Sequence, residues 1–217
     1  PDSELAWAIE PDLRAGQWRK KQYAKGASGI KGRTLGLVGF GSIGRAVADR
    51  ALAFEMKVVA FDPVISAEAM SERGVEKKAS VQEVAEVSDV LSVHVGLNEH
   101  TRGLMGEEVF GSLKEGAIFV NTSRGPVVDE SALQRAVVEK GVRAGLDVFC
   151  DEPSGDGDWQ SDLLTLEGVY GTHHIGASTE EAQEAVALEA CRVIQVYADT
   201  GNPENCVNLA SQTPATH

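Results

Sequence analysis

Residues 34–51, TLGLVGFGSIGRAVADRA, decide the fold of this chain. The stretch begins with an apolar run, places three glycines in the spacing GxGxxG, and continues as an amphipathic segment. Such a hexad is specific only where a strand precedes it and a helix follows it, as the flanking residues predict here. Gly39 permits a tight turn, Gly41 lets a phosphate approach the backbone, and Gly44 lets the strand and the helix pack closely. The stretch therefore predicts a dinucleotide-binding βαβ unit.

The rest of the chain alternates short β-branched runs with helical patterns, which is typical of a parallel sheet between two helix layers. Strands are predicted at residues 34–38, 58–61, 90–95, 117–121, 144–148 and 169–173, and most are apolar on both faces. Helices are predicted at residues 43–53, 67–73, 81–85, 107–112, 130–139 and 178–200. We therefore predict an α/β fold, a Rossmann-type doubly wound parallel sheet of six or seven strands with a long C-terminal helix.

Helix start and stop signals along the chain predict three regions. Residues 1–28 read as a helix and a linker that lead into the main domain. Residues 29–200 form the dinucleotide-binding domain, including the long helix at 178–200, which opens with Ser-Thr-Glu-Glu and ends near Gly-Asn-Pro. Residues 201–217 follow this stop signal as a tail; the family resemblance given below implies that the tail returns toward a separate substrate domain. The polar run 151–157 reads as a loop within the main domain.

Composition and charge narrow the function classes. The chain has 217 residues, 42% of them hydrophobic, and a formal net charge of −13. The charge argues against nucleic acids and anionic membranes as partners, since both require a basic surface. Small phosphate ligands stay open, because backbone N–H groups can hold them. No apolar run approaches the roughly 20 residues that span a bilayer.

The cysteines indicate a reducing compartment and no metal. Cys150, Cys191 and Cys206 are odd in number, widely spaced, and without CxxC or histidine spacing. Neither a disulfide framework nor a metal site is favoured by that pattern. We expect a cytoplasmic protein whose site contains no metal ion.

An acidic residue ends the second predicted strand, 18 residues past Gly44, in VVAFDP. Asp62 at this position can accept both ribose hydroxyls of an adenosine and would repel a 2′-phosphate, which favours NAD over NADP. No arginine follows it to receive such a phosphate. The alternative is that Asp62 only starts a turn before Pro63.

Three later strand ends carry polar residues that suit one reaction. In open α/β sheets ligands bind beyond the carboxyl ends of the strands, where Arg124, Glu152 and His174 follow. An arginine can hold a carboxylate or polarise a ketone, and a histidine can move the proton that accompanies hydride transfer. A carboxylate orients the imidazole and raises its pKa. Taken singly, each has a structural alternative: a surface ion pair, a solvated loop, or strand-end histidines.

Five segments in order resemble a known family. GFGSIGRAVA, AFDPVIS, VNTSRGPVVDESAL, AGLDVFCDEP and HIGASTEEAQ are similar to motifs of the NAD-dependent D-2-hydroxyacid dehydrogenases. Within that family they look most like the D-3-phosphoglycerate dehydrogenases, and the resemblance covers residues 13–209. His173 and Gly96 depart from the pattern, since proline is usual at both positions.

The resemblance implies a role for each matched residue. Arg124 orients the substrate, Glu152 partners the histidine, and His174 donates or accepts the proton. Asp62 binds the adenosine ribose, Asp147 contacts the carboxamide, and His173 is a bystander. The residues expected to bind NAD are Gly39, Gly41, Ser42, Ile43, Gly44, Asp62, His94, Val95, Thr122, Ser123, Arg124, Asp147, His174, Gly176 and Ala177.

Further expectations follow from the same resemblance. The family inserts this domain into a second domain that carries part of the substrate site, so we expect the chain by itself to bind NAD and to turn over weakly or not at all. The substrate is a 2-hydroxy or 2-keto acid, with phosphoglycerate favoured and glyoxylate, hydroxypyruvate, lactate or phosphonate-type acids open. A homodimer is expected. An NAD-sensing scaffold or corepressor is the alternative from another class.

Overall fold

The computed structural model describes residues 12–21, 29–204 and 206. The chain forms two compact units, Pro1–His173 and His174–His217. The predicted N-terminal helix, part of the linker that follows it and most of the predicted C-terminal tail lie outside the described residues. The three-region division of the chain stays a prediction.

The first unit contains one sheet of seven strands in the order β3-β2-β1-β4-β5-β6-β7. Every pairing between named strands is parallel. The strands are β1 Thr34–Val38, β2 Lys57–Phe61, β3 Glu76–Lys77, β4 Val90–Val93, β5 Ile118–Asn121, β6 Arg143–Leu146 and β7 Val169–Gly171. This topology confirms the predicted Rossmann-type sheet.

Five α-helices connect these strands. They are α1 Ser42–Ala53, α2 Ala67–Ser71, α3 Val81–Val87, α4 Glu107–Ser112 and α5 Glu130–Lys140. Short 3-10 helices cover Gly125–Val127 and Asp162–Thr165. Side chains of Ser66, Ser80 and Asp129 accept backbone N–H groups at the starts of α2, α3 and α5, which satisfies donors that a helix start otherwise leaves without partners.

Two apolar clusters form the core, because alternate residues of a strand point to opposite faces of the sheet. Leu35 and Leu37 of β1 belong to one cluster, with Ala48 of α1. Val38 of the same strand belongs to the other cluster, with Phe110 of α4. The sheet is therefore buried on both sides, as its apolar strands predict.

Strand β3 was not predicted. It has two charged residues, Glu76 and Lys77, and lies at the edge of the sheet. Neither residue type favours strands, and the segment is paired only because β2 offers its free edge. Lys78 extends the pairing by donating its N–H to the carbonyl oxygen of Ala60 at 2.8 Å.

Three strands end earlier than predicted. The next residues still donate backbone N–H groups to the neighbouring strand: His94 to Val38 at 2.7 Å, Asp147 to Asn121 at 3.0 Å, and Thr172 to Leu146 at 2.9 Å. Val95 and Val148 continue the apolar pattern past two of these bonds, but the chain leaves the sheet there.

The second unit contains the long helix α6, Glu180–Thr200. Its first turn donates to the hydroxyl of Thr179 through the N–H of Ala182 at 3.2 Å. Gly201 ends the helix with φ +68°, a conformation that glycine adopts without steric cost. These ends confirm the predicted start and stop signals. Within the described residues, no helix is both long and apolar enough to cross a membrane.

Candidate functional site

The strands of the first unit end in one row. The residues that face one another across the sheet at this edge are Phe61, Val38, Val93, Asn121, Leu146 and Gly171. The segments that leave this edge carry the predicted site residues of the unit, namely Gly39, Gly41, Ser42, Ile43, Gly44, Asp62, His94, Val95, Thr122, Ser123, Arg124, Asp147 and Glu152. His174, Gly176 and Ala177 belong to the second unit.

Two glycines of the GxGxxG motif are required by the packing of the chain itself. Gly39 has φ +96°, and a Cβ there would lie 2.5 Å from the carbonyl oxygen of His94. A Cβ at Gly44 would lie 2.3 Å from the carbonyl oxygen of Gly39. Both distances are too short for a side chain, so these glycines let the loop pass close to β4 and to the helix.

Gly41 is different, because packing does not require it. Its backbone has φ −73°, and a Cβ would meet no protein atom within 4 Å. Helix α1 begins directly after it without a side-chain cap, as does the short helix α4 after Gly106, whereas α2, α3, α5 and α6 each have one. Ser42 and Ile43 in the first turn are exposed. The uncapped N–H groups and the open backbone fit the pyrophosphate of a dinucleotide.

The carboxylate of Asp62 is held by three backbone donors. Oδ2 accepts the N–H of Phe40 at 2.9 Å, and Oδ1 accepts those of Val64 at 2.9 Å and Ile65 at 3.1 Å. Burial by itself would raise the pKa of Asp62, but these donors and the charge of Lys77 outweigh it and lower the pKa below 3.8. The residue is therefore an ionised acceptor at neutral pH. It does start a turn, and the same carboxylate also reaches the glycine loop.

His94 and Val95 follow β4 beside the glycine loop, and both are half-buried. Nε2 of His94 lies 3.0 Å from the hydroxyl of Ser92. Burial lowers the pKa of His94 below 6.5, so the neutral ring is favoured at physiological pH. The ring therefore lies beside the glycine loop as a predominantly neutral, half-buried group.

The turn after β5 is organised by Asn121, a buried residue. Its Oδ1 accepts the N–H and the hydroxyl of Ser123, at 3.0 and 2.8 Å, and its Nδ2 donates to the carbonyl oxygen of Arg124 at 3.0 Å. Thr122 and Arg124 are exposed, and Nη1 of Arg124 donates to the carbonyl oxygen of Ser123 at 2.6 Å.

Phe149 joins the turn of Arg124 to the loop of Glu152. Its N–H donates to Oε2 of Glu152 at 3.0 Å. Its carbonyl oxygen would lie 2.0 Å from a Cβ at Gly125, so only glycine fits directly after Arg124. The structure therefore brings the loops of these two predicted catalytic residues together at one residue, whose N–H contacts one loop and whose carbonyl group contacts the other.

Asp147 is buried at the end of β6. Its Oδ1 accepts the hydroxyl of Thr172 at 2.5 Å, and its backbone N–H donates to Asn121. Asp147 thus bonds through its backbone to the end of β5 and through its carboxylate to the residue that follows β7.

The two histidines of the pair differ in backbone conformation. Both are exposed, but only His174 has a positive φ, +54°. Left-handed backbone is uncommon for a residue other than glycine, and it concentrates at functional positions. In the second unit, the N–H of Ser178 donates to the carbonyl oxygen of Ile175 at 2.9 Å, which closes a turn around the exposed residues Gly176 and Ala177.

Sequence reasoning noted Asn121 only as one of the polar residues at a strand end and gave it no role, and it missed Phe149 and Lys77. Asn121 lies within the NTSRG motif, and its position at a strand end was a usable signal. The contacts of Phe149 and Lys77 depend on neighbours that are far away in the chain. In the described part of the chain, no group of three or more His, Cys, Asp or Glu residues could hold a metal ion.

The parallel sheet, the uncapped glycine turn and the ionised Asp62 define a dinucleotide-binding domain of the Rossmann type. The family model described as "D-isomer specific 2-hydroxyacid dehydrogenase, NAD binding domain" matches residues 6–176. The chain belongs to this family, and it contains the family's NAD-binding domain.

Individual relatives agree with this assignment. D-3-phosphoglycerate dehydrogenase of Methanocaldococcus jannaschii is 40% identical over 198 residues, which are 91% of this chain and 37% of that protein. Hydroxypyruvate reductase of Thermotoga maritima is 46% identical over 178 residues, 82% of this chain and 56% of that protein. The holo crystal structure of Rhodotorula graminis D-mandelate dehydrogenase matches with a TM-score of 0.76 at 31% identity, and covers 89% of this chain and 57% of that one. The chain thus spans between 37% and 57% of these relatives.

Proposed function

We propose that the protein oxidises a D-2-hydroxy acid to the 2-keto acid reversibly, as an NAD-dependent dehydrogenase. The observation that carries the proposal is the contact at Phe149, which holds the exposed Arg124 and the carboxylate of Glu152 on loops fixed to each other. A substrate anion and a proton-transfer group need such fixed placement, because small displacements lower the rate strongly.

Each residue has a distinct task in this proposal. The guanidinium of Arg124 binds the substrate carboxylate and the oxygen on C2 through paired N–H donors. His174 accepts the hydroxyl proton in the oxidation and returns it in the reduction. Glu152 favours the charged form of that imidazole. The pairing of Glu152 with His174 rests on the family motifs. Bound NAD would supply the hydride acceptor for this oxidation.

The same proposal assigns the cofactor contacts. The first turn of α1 holds the pyrophosphate, Asp62 accepts the ribose hydroxyls, and His94 with Val95 lines the adenine side. Thr122, Ser123 and Asp147 surround the nicotinamide half, together with His174, Gly176 and Ala177. The ordered turn at Asn121 and the fixed carboxylate of Asp147 support this assignment, since both lie at the ligand-binding edge of the sheet.

D-3-phosphoglycerate is the first candidate substrate. Its support is the 40% identity to the Methanocaldococcus jannaschii enzyme of that name. Hydroxypyruvate and glyoxylate are the alternatives, because a hydroxypyruvate reductase and a glyoxylate reductase match at 46% and 38% identity. On the first assignment the protein would serve serine biosynthesis. Comparing kcat/KM for the three acids decides among them.

The histidine pair offers a matched test of catalysis. In the full-length protein, His174→Gln should lower kcat at least about a hundredfold, which is the usual scale for loss of a general acid or base. The NADH dissociation constant should change little. His173→Gln, at the neighbouring exposed histidine, is the control and should retain activity. Equal rates for the wild type and His174→Gln contradict the proposal. NADH-dependent capture of a partner protein, without turnover of any of the acids, favours a scaffold.

A homodimer and a cytoplasmic location complete the proposal. Dimers are common in the family that the sequence resembles, and the widely spaced cysteines suit a reducing compartment. Sedimentation equilibrium with and without NADH tests the dimer. Imaging of a tagged protein tests the location.

A further inference from the structure

A lysine of the edge strand ties down the turn that follows β2. Nζ of Lys77, the last residue of β3, donates to the carbonyl oxygen of Ile65 at 2.6 Å. The N–H of the same Ile65 donates to Oδ1 of Asp62 at 3.1 Å. Lys77 and Asp62 therefore bond to the two polar backbone groups of one residue. The ammonium holds the turn on which the carboxylate rests.

The backbone donors and the positive charge around Asp62 all favour the ionised form of its carboxylate. On the side of the glycine loop the carboxylate faces the N–H of Phe40, and within its own turn it faces those of Val64 and Ile65. From β3 it faces the positive charge of Lys77, which helps to lower the pKa of Asp62 against the opposing effect of burial. Among the described residues, Lys77 is the charged side chain that acts on the carboxylate of Asp62.

We propose that Lys77 is a positioning residue of the adenosine-ribose site, which fixes the turn at residues 62–65 and thereby the carboxylate of Asp62. The inference rests on the proposed role of Asp62 in ribose binding. A carboxylate that must accept two hydroxyls at once needs a defined orientation. The three backbone donors and the lysine together provide it before the ligand binds.

The neighbouring lysine supplies a control of the same type. Lys78 forms an ion pair with the exposed Glu76 at 2.6 Å and does not bond to the turn. Its replacement removes one positive charge from the same edge of the sheet. A general loss of electrostatic attraction for NADH would therefore affect both variants, whereas loss of positioning affects only the variant of Lys77.

The test is a fluorescence titration of the whole chain with NADH at pH 7, for the wild type, Lys77→Met, Lys77→Arg, Lys78→Met, Asp62→Asn and the double variant Asp62→Asn/Lys77→Met. We expect Lys77→Met to weaken binding roughly three- to tenfold, the scale of a partly exposed charged hydrogen bond. Lys77→Arg should recover most of the affinity, and Lys78→Met should change it less than about twofold. Melting curves from circular dichroism verify that the variants fold.

Two further readouts separate positioning from a merely structural role. Without Lys77 the pKa of Asp62 rises, so the loss of NADH binding on acidification should begin at a higher pH. In the Asp62→Asn background, Lys77→Met should cause little further loss, because the carboxylate that it positions is absent.

The outcomes distinguish this inference from the proposal beneath it. If Asp62→Asn weakens NADH binding but Lys77→Met binds like the wild type at every pH, the role of Lys77 is wrong and the ribose site stands. If Lys77→Met weakens binding equally in both backgrounds, the lysine acts elsewhere and the inference also fails. If Asp62→Asn binds NADH as tightly as the wild type, the ribose assignment itself is wrong.

Discussion

The backbone N–H of Phe40 donates to the carboxylate of Asp62 at 2.9 Å and joins two residues that lie 22 positions apart in the chain. Phe40 lies between the first two glycines of the GxGxxG motif. One hydrogen bond therefore sets the position of the proposed ribose acceptor relative to the proposed phosphate loop. The cofactor domain thus holds these two groups in register through its own backbone.

This bond makes part of the stability depend on pH. The pKa of Asp62 in the folded chain lies below its ordinary value of 3.8, so its contribution to stability is complete above that value and is lost as the pH falls through the folded pKa. The contribution should be about 0.5–1 kcal/mol, because the group is partly exposed to solvent. Urea unfolding between about pH 2 and 6 measures it, and Asp62→Asn should flatten that part of the curve. If the unfolding free energy of Asp62→Asn depends on pH as steeply as that of the wild type, other carboxylates cause this dependence.

Substitution by alanine should lower the stability of the fold at Gly44 and the affinity for NADH at Gly41. Gly44→Ala puts a Cβ 2.3 Å from a backbone oxygen, and we expect it to destabilise the fold by about 1–3 kcal/mol. Gly41→Ala meets no protein atom, so the melting temperature should stay within about 2 °C, on the scale of a neutral surface change. NADH affinity should nevertheless fall at least about tenfold, because the methyl group occupies the path of the phosphates. Wild-type NADH binding by Gly41→Ala would contradict the proposed phosphate site.

His94 should make the chain sensitive to mild acid. Burial holds the pKa of His94 below its ordinary value of 6.5, so the folded state disfavours the proton that the unfolded state accepts. Stability should therefore be complete above pH 6.5 and decline as the pH falls from there toward the folded pKa. Thermal melting across this window tests the effect. His94→Gln should remove the decline, and its persistence in that variant would assign the decline to another histidine.

The thiol of Cys150 should be a poor nucleophile, although the residue as a whole is exposed. Burial of the sulfur and the nearby carboxylates, Glu130 first among them, raise the pKa of the thiol to about 12. The thiolate is the reactive form, so alkylation by iodoacetamide at pH 8 should modify Cys191, which is exposed on α6, well before Cys150. Peptide mass spectrometry with time resolves the two. Glu130→Gln should accelerate modification of Cys150, and an equal rate in that variant would mean that burial by itself protects the sulfur.

Much of the secondary structure could be predicted because its signals are local. The apolar runs, the glycine spacing, and the capping residues at Thr179 and Gly201 act over a few positions. The strand ends were less predictable, since the apolar pattern at residues 94–95 and 147–148 continues after the last bond to the neighbouring strand. Strand β3 could not be predicted, because two charged residues pair there only through the free edge of β2.

The sequence by itself determined the βαβ unit, the family, and the positions of Asp62, Arg124, Glu152 and His174 along the chain, because motif spacing and strand ends are written in consecutive residues. Only the tertiary structure decided which groups hold these side chains. The contact of Gly125 with Phe149 and the bonds from Phe40 and Lys77 join residues 12 to 24 positions apart. Such contacts depend on strand order and register, and these emerge when the parallel strands pack between their helices.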